Sequence, residues 1–241
     1  MKKLTLTILL ACTILPAFAA SFNVSPILVG LSSQKPTMPL SVSNMDDTPV
    51  VIQVRSMSWT QNDSGEDVYA NTDYILATPP IFTIPAHGTQ IVRIGLREPS
   101  TPERELSYRI YLTQLPGASR EAINRVTMRF RFGIPVFVTG AAAVAPDLKW
   151  SVIASGPNAG KLKVTNDGSA HAQIGEMQLV DMVSEQTIAR QPTPVYLLPG
   201  ISREWALQIT PGKSLGTEAL RLKAYMDAGD VNKVLVPQQA Y

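Results

Sequence analysis

Cysteine is nearly missing from this sequence: Cys12 is the single one among 241 residues, and it lies in the apolar run that opens the chain. Beyond that run no disulfide can form, so stability has to come from packing rather than from cross-links. Histidine is almost as scarce. His87 and His171 are the two present, and neither has a nucleophile or a ligand-spaced partner, which leaves nucleophilic catalysis and a zinc cluster without residues to build on. His87, in Pro85-Ala86-His87-Gly88, and His171, after Asn166-Asp167-Gly168, read as loop residues. A Gly-rich phosphate loop and a Gly-x-Ser-x-Gly elbow are absent as well. The acidic stretch Asn62-Asp63-Ser64-Gly65-Glu66-Asp67 lacks the ligand spacing of a calcium loop and reads as a polar hairpin connection. The expectation is a protein that is not an enzyme and that needs no cofactor and no metal.

Excess charge is lacking too. Lys2 and Lys3 account for the whole formal charge of +2, and beyond them 19 basic residues face 19 acidic ones. That balance removes the global electrostatic case for nucleic acid or an anionic membrane as partner. The one long apolar run, Leu4 to Leu15, is about a dozen residues, where a membrane-spanning helix needs roughly 20. With Met1-Lys2-Lys3 before it and Ala17-Phe18-Ala19 after it, residues 1–19 read as a secretory signal peptide. A lipoprotein reading of Leu9-Leu10-Ala11-Cys12 is weaker, because the apolar run before Cys12 is short and the better cleavage site follows. No later segment approaches membrane-spanning length, so no membrane insertion is expected.

What the chain does have is strand signal. Val50-Val51-Ile52-Gln53-Val54, Gln90-Ile91-Val92-Arg93-Ile94, Tyr108-Arg109-Ile110-Tyr111-Leu112 and Leu162-Lys163-Val164 are short runs rich in β-branched and aromatic residues. Turn residues separate them: Asn44 to Pro49, Asn62 to Gly65, Pro79-Pro80, Pro85 to Gly88, Pro116-Gly117, Gly156-Pro157, Asn166-Asp167-Gly168, Pro199-Gly200 and Pro211-Gly212. The pattern predicts an all-β protein of immunoglobulin-like sandwiches, and the length favours two domains. The small residues of Gly140-Ala141-Ala142-Ala143-Val144-Ala145-Pro146 mark the boundary. The expected division is an N-terminal domain over 20–140, a linker over 141–146 and a C-terminal β-sandwich over 147–241. No sequence repeat between the halves is evident.

One stretch is unlike the rest. From Arg125 to Val138 the even positions, Val126, Met128, Phe130, Phe132, Ile134, Val136 and Val138, are apolar, while the odd positions from Arg125 to Arg131 are polar or basic. Alternation of period two puts these sets on opposite faces of one strand. Fourteen residues at roughly 3.3 Å each reach about 46 Å, whereas an ordinary strand covers about 17 to 20 Å. Pro135 cannot donate a ladder hydrogen bond and so belongs at a sheet edge or a bulge. Long apolar edges are usually blunted, and an unblunted one suits strand addition, with Val126, Met128, Phe130 and Phe132 filling pockets in a partner. The competing reading gives that face to the domain's own core, and Ile134 to Val138 belong to the core under either.

The sequence resembles the periplasmic pilus chaperones of the chaperone-usher pathway. The resemblance rests on Ser43-Asn44 with Pro49 and the strand to Val54, then Trp59; on Ala77-Thr78-Pro79-Pro80, Ile84-Pro85 and Gln90 to Ile94; on Glu105 through Tyr108 to Leu112 with Leu115-Pro116; and on the alternating strand ending Pro135-Val136-Phe137-Val138. In the second half, Leu162-Lys163-Val164-Thr165-Asn166 and Leu198-Pro199-Gly200 are similar to family positions with less discrimination. The resemblance implies a boomerang of two sandwiches in the periplasm, whose cleft holds an incomplete pilin. The first domain's last strand completes the pilin fold by donor-strand complementation until an outer-membrane usher exchanges it. Pilus or fimbrial subunits and the usher would be the partners, with no nucleotide or metal needed. Whether the unloaded form self-associates to hide its edge stays open.

One departure matters. The two basic residues that anchor the pilin's C-terminal carboxylate in the best-known branch align near Ile27 and Pro135, neither of which carries charge. The chain therefore looks like a member of the divergent, archaic branch, with its anchor elsewhere. Between Arg93 and Arg131 there are eight arginines (93, 97, 104, 109, 120, 125, 129, 131) and no lysine, a choice suited to bidentate carboxylate capture. Arg109, on a strand expected to neighbour the donor strand, is the first candidate, followed by Arg93 and Arg97. The plain alternative is that Arg109 is an exposed sheet residue or pairs with Glu105. A secreted pilus-associated adhesin or carbohydrate-binding protein is the competing function, with Trp59, Trp150 and Trp205 as its platforms unless they are core residues.

Overall fold

A computed structural model describes residues 22–99, 101–116, 129–140, 142, 144–191 and 194–239. Among them every regular element is a β-strand. The first ten are β1 (Phe22–Ser25), β2 (Val29–Ser32), β3 (Thr37–Asn44), β4 (Val50–Gln61), β5 (Asp67–Asn71), β6 (Ile75–Thr78), β7 (Ile81–Ile84), β8 (Thr89–Leu96), β9 (Leu106–Gln114) and β10 (Arg131–Thr139). They form two sheets, ordered β1-β3-β8-β6 and β2-β10-β9-β4-β5, with β7 also on β4. Alternation explains the packing. Leu40 and Val42 of β3, Val92 and Ile94 of β8, Ile110 and Leu112 of β9, and Ile134, Val136 and Val138 of β10 all meet in one core.

The second set is β11 (Leu148–Gly156), β12 (Ala159–Asn166), β13 (Ala172–Asp181), β14 (Thr187–Gln191), β15 (Val195–Leu197), β16 (Ser202–Ala206), β17 (Gln208–Ile209), β18 (Leu220–Met226), β19 (Val231–Leu235) and β20 (Gln238–Gln239). Its sheets run β16-β12-β11-β20 and β17-β14-β13-β18-β19, with β15 on β13. Trp150 and Trp205 are buried in the core between them. The expected all-β pair of immunoglobulin-like sandwiches is what the chain forms.

A repeat that is easy to miss in the sequence is plain in three dimensions. Leu40-Ser41-Val42-Ser43-Asn44 ends β3, and Leu162-Lys163-Val164-Thr165-Asn166 ends β12. Both asparagines are 0% exposed, and each ties down the chain that turns over the end of its sandwich. Asn44 Nδ2 donates to Thr48 O at 2.8 Å and Pro85 O at 3.0 Å, and its backbone N–H donates to Gly88 O. Asn166 Nδ2 donates to Ala170 O at 2.8 Å and Leu197 O at 3.1 Å, its Oδ1 accepts from Asp147 N and Gly168 N, and its backbone N–H donates to Ile201 O. The preceding hydroxyls repeat as well, with Ser43 Oγ 2.8 Å from Thr89 Oγ1 and Thr165 Oγ1 2.7 Å from Ser202 Oγ. A buried amide that satisfies four backbone groups at once is an economical substitute for a cross-link.

The alternating segment is a strand from Arg131 onward, and Val126 and Met128 lie outside the described residues. Strand β10 pairs antiparallel with β9 from Arg131 to Val138. On its other side β2 joins in parallel only from Val136. Pro135 is thus the last residue before β2 arrives, at the edge where its missing N–H requires it to be.

Asn166→Ala should cost about 3 kcal/mol in chemical unfolding, because two carbonyls and two N–H groups lose their partner together inside the protein. A loss under about 1 kcal/mol would mean that water replaces the amide.

Candidate binding cleft

Strand β9 sends Tyr108, Ile110 and Leu112 into the first core, so Arg109 and Tyr111 face the opposite way. Arg109 lies directly across from Pro135 on β10 and from Met57 on β4. Its guanidinium carbon sits 4.1 Å from the Trp59 ring centroid and 5.5 Å from that of Tyr69. Gly133 makes room for this layer, since a Cβ there would come within 3.0 Å of the Tyr111 ring and 3.1 Å of Arg109 Cδ. Arg109 Nε is buried with no hydrogen-bond partner among the described residues, and no carboxylate there closes on the guanidinium as an ion pair. Aromatic faces hold the charge without consuming its planar fork of donors.

The surroundings keep a negative charge near but not on it. Burial pushes the Asp67 carboxyl up, yet hydrogen bonds from Gln61 Nε2 and the Tyr69 hydroxyl, each at 2.9 Å, together with the Arg109 charge hold it below its usual value. Burial and the bond to Asp67 push the Tyr69 hydroxyl far up, and burial raises that of Tyr196. Neither phenol ionises at neutral pH. Arg109 is therefore a positive charge in a mostly neutral aromatic surround, with one carboxylate engaged by other donors.

This layer is also the joint between the sandwiches. The second half of β4 turns Trp59 and Gln61 away from the first core. Gln61 Nε2 donates to Tyr196 O at 2.9 Å while Gln61 Oε1 accepts from Leu198 N at 3.0 Å, so a single amide tethers the second sandwich. Trp59, Phe137 and Leu198 form a small buried cluster of their own, flanked by Tyr69, Tyr196 and Ile201.

Two sequence readings need correction here. Glu105 does not pair with Arg109: its Oε1 lies 2.7 Å from His171 Nδ1 and accepts from His171 N at 3.0 Å. Nor is His171 a mere loop residue, for its ring stacks on Phe137 of β10 with centroids 3.5 Å apart and planes 6° from parallel. A carboxylate with 4% side-chain exposure needs a hydrogen-bonding partner, and the imidazole supplies one across the joint. These residues stand 66 positions apart, and no local pattern connects them. Trp59, Trp150 and Trp205 are all buried, so none is free to serve as a carbohydrate platform.

The other sequence candidates scatter. Arg93 is exposed on β8, in the opposite sheet. Arg97 follows that strand and is engaged by Asp73, with Nε donating to its backbone oxygen at 2.8 Å and Nη2 lying 3.6 Å from Oδ2. Phe130 is half-buried and Phe132 is 36% exposed, both at the far end of the first sandwich from the joint. The stretch 62–66 is the polar hairpin expected, with Asn62 Oδ1 accepting from Ser64 N and Glu66 N.

The family model for pili and flagellar-assembly chaperones, PapD N-terminal domain, matches residues 21–142. The chain belongs to this family. No curated protein sequence matches it closely enough to register. Among solved structures, the fold is similar to the CsuC-CsuE chaperone-tip adhesion subunit pre-assembly complex from the archaic chaperone-usher Csu pili of Acinetobacter baumannii, at 18% identity over 92% of this chain and 100% of that one, with a TM-score of 0.66. It is similar also to the Salmonella enterica SafA pilin in complex with the SafB chaperone, at 17% identity over 91% of this chain and 99% of that one, TM-score 0.63. The Pseudomonas aeruginosa CupB2 chaperone matches at 16% identity over 89% and 100%, TM-score 0.60.

In this pilus chaperone the Glu105–His171 contact should act as one unit. Glu105→Ala and His171→Ala, combined in a double-mutant cycle, should show a coupling of about 2 kcal/mol in unfolding free energy. Additive effects would mean that the stacked ring, and not the bond, holds the joint.

Proposed function

We propose that this chaperone binds pilus subunits in the periplasm by donor-strand complementation through β10 and passes them to an outer-membrane usher. The observation that carries the reading is the asymmetry of β10. From Arg131 to Pro135 it is paired with β9 on one side and joined by no strand on the other among the described residues. An open row of backbone donors and acceptors, edged by large apolar side chains, is what strand addition requires. Phe130 and Phe132, with Val126 and Met128 before them, are the side chains proposed to fill the subunit's groove. The chaperone–subunit complexes of similar fold support the same use.

In this reading residues 1–19 direct export and are then removed, and the chain divides functionally into 20–140, a linker over 141–146, and 147–241. Arg109 is proposed as the anchor for the subunit's terminal carboxylate, because its charge is held ready beside β10. Arg93 and Arg97 are weaker candidates on the opposite sheet. The lack of a cation at Ile27 and Pro135, and the likeness to the archaic Csu complex, support placement in the archaic branch.

Periplasmic co-purification of the tagged protein from its native host tests the reading. A small β-rich subunit should elute at a one-to-one ratio, and Phe130→Asp with Phe132→Asp should reduce its recovery more than about tenfold, since a charge cannot enter an apolar groove. Full recovery with both aspartates in place would sink the strand-lending mechanism. Arg109→Lys should weaken capture by about tenfold, because an ammonium loses both the stacking and the bidentate geometry. If Arg109→Ala leaves capture unchanged, the anchor lies elsewhere.

A further inference from the structure

The donor phenylalanines are not free. Phe22, the first residue of β1, packs edge-on against both, with ring centroids 6.0 Å from Phe130 at 64° and 6.3 Å from Phe132 at 69°. Phe130 and Phe132 stack on each other at 6.1 Å. Phe22 belongs to one sheet of the sandwich and Phe132 to the other, so the three rings close the open end of the first domain. Beneath them is a narrow apolar hollow between the sheets, lined by Val24, Val42, Ile52 and Leu112, with Gln114 at its wall.

Two features make this closure easy to undo. Strand β1 has four residues and among the described residues pairs with β3 alone, so Phe22, although it packs against the first core, sits at the end of an edge strand, the kind of position that opens most readily. Gln114 Oε1 is buried in the closed arrangement without a partner among the described residues. An orphaned buried acceptor raises the energy of the state that contains it. The geometry points to Phe22 as an intramolecular cap on the donor face, one that competes with an incoming subunit for Phe130 and Phe132 and is displaced when the subunit is captured. The inference rests on the strand-lending reading of β10. It adds that the unloaded chaperone shields its own apolar edge in cis, and that capture is a ring-for-ring exchange.

The test compares Phe22→Ala, Phe22→Leu, Phe132→Ser and the Phe22→Ala/Phe132→Ser pair, all purified as the processed chain. Two probes apply: the dye 8-anilinonaphthalene sulfonate and the subunit recovered by co-purification. Removing the cap should raise dye fluorescence severalfold, with Phe22→Leu in between and the double variant falling back toward the parent. Phe22→Ala should speed subunit capture by about fivefold, the equivalent of two lost edge-to-face contacts, while Phe132→Ser slows it. Dye binding unchanged by Phe22→Ala would show that Phe22 covers nothing. Slower capture would show that Phe22 grips the subunit instead, and either result overturns the cap. Capture unaffected by Phe132→Ser would overturn it at the root, by removing the donor reading itself, whereas a deficit in Phe132→Ser with no gain in Phe22→Ala would defeat the cap alone.

Discussion

A β-strand has two hydrogen-bonding edges and two faces, and the architecture of this chaperone follows from how β10 uses all four. One edge is bound to β9 from Arg131 to Val138, and the other meets β2 only from Val136. One face places Ile134, Val136 and Val138 in the first core. The other places Phe137 in the joint, against Trp59 and the His171 ring. The C-terminal half of the strand is thus fixed on every side, and the half that begins at Arg131 is fixed on one edge. Rigidity at Phe137 gives the open edge a defined direction, which a partner strand needs if it is to add in a single register.

Electrostatics in the cleft follow the same division between what is satisfied internally and what is kept in reserve. Glu105 is buried and engaged by His171, and Asp67 is engaged by Gln61 and Tyr69. With both acids occupied, Arg109 rests on aromatic faces and retains its charge. Arg109 is thus a guanidinium packed on aromatic rings with no ion pair among the described residues, the feature on which its proposed role as carboxylate anchor rests. Locality of this kind favours recognition of a single terminal group over broad attraction to polyanions.

Legibility in the sequence divided along the same physical lines. Strand type, turn positions and the core halves of β4, β8, β9 and β10 were readable because period-two alternation is a local signal. The placement of Arg109 beside β10 was also reachable, since consecutive strands tend to pair. The joint was not. Gln61 reaches Tyr196 and Leu198, and Glu105 reaches His171, across 66 to 137 positions, and such pairs leave no periodic trace. The duplicated Leu-x-Val-Ser/Thr-Asn ending of β3 and β12 was present in the letters, but five residues in a long chain gain meaning only when both asparagines prove buried.

The absence of disulfides sharpens the role of these polar tethers. A sandwich of this size holds together by its apolar core, yet a core is indifferent to the angle at which a second sandwich meets it. Directional bonds supply that angle: the Gln61 amide, the Glu105–His171 contact and Arg203 Nη1 donating to Gly65 O at 3.1 Å. Their residues lie on short β15, at the ends of β4, β9, β13 and β16, or in the turn before β5, where small shifts are least damaging to either core. The joint is therefore specified by hydrogen-bond geometry and filled by aromatic rings, and because Phe137 is common to the joint and to β10, the orientation of the second sandwich is coupled directly to the strand proposed to complement a subunit.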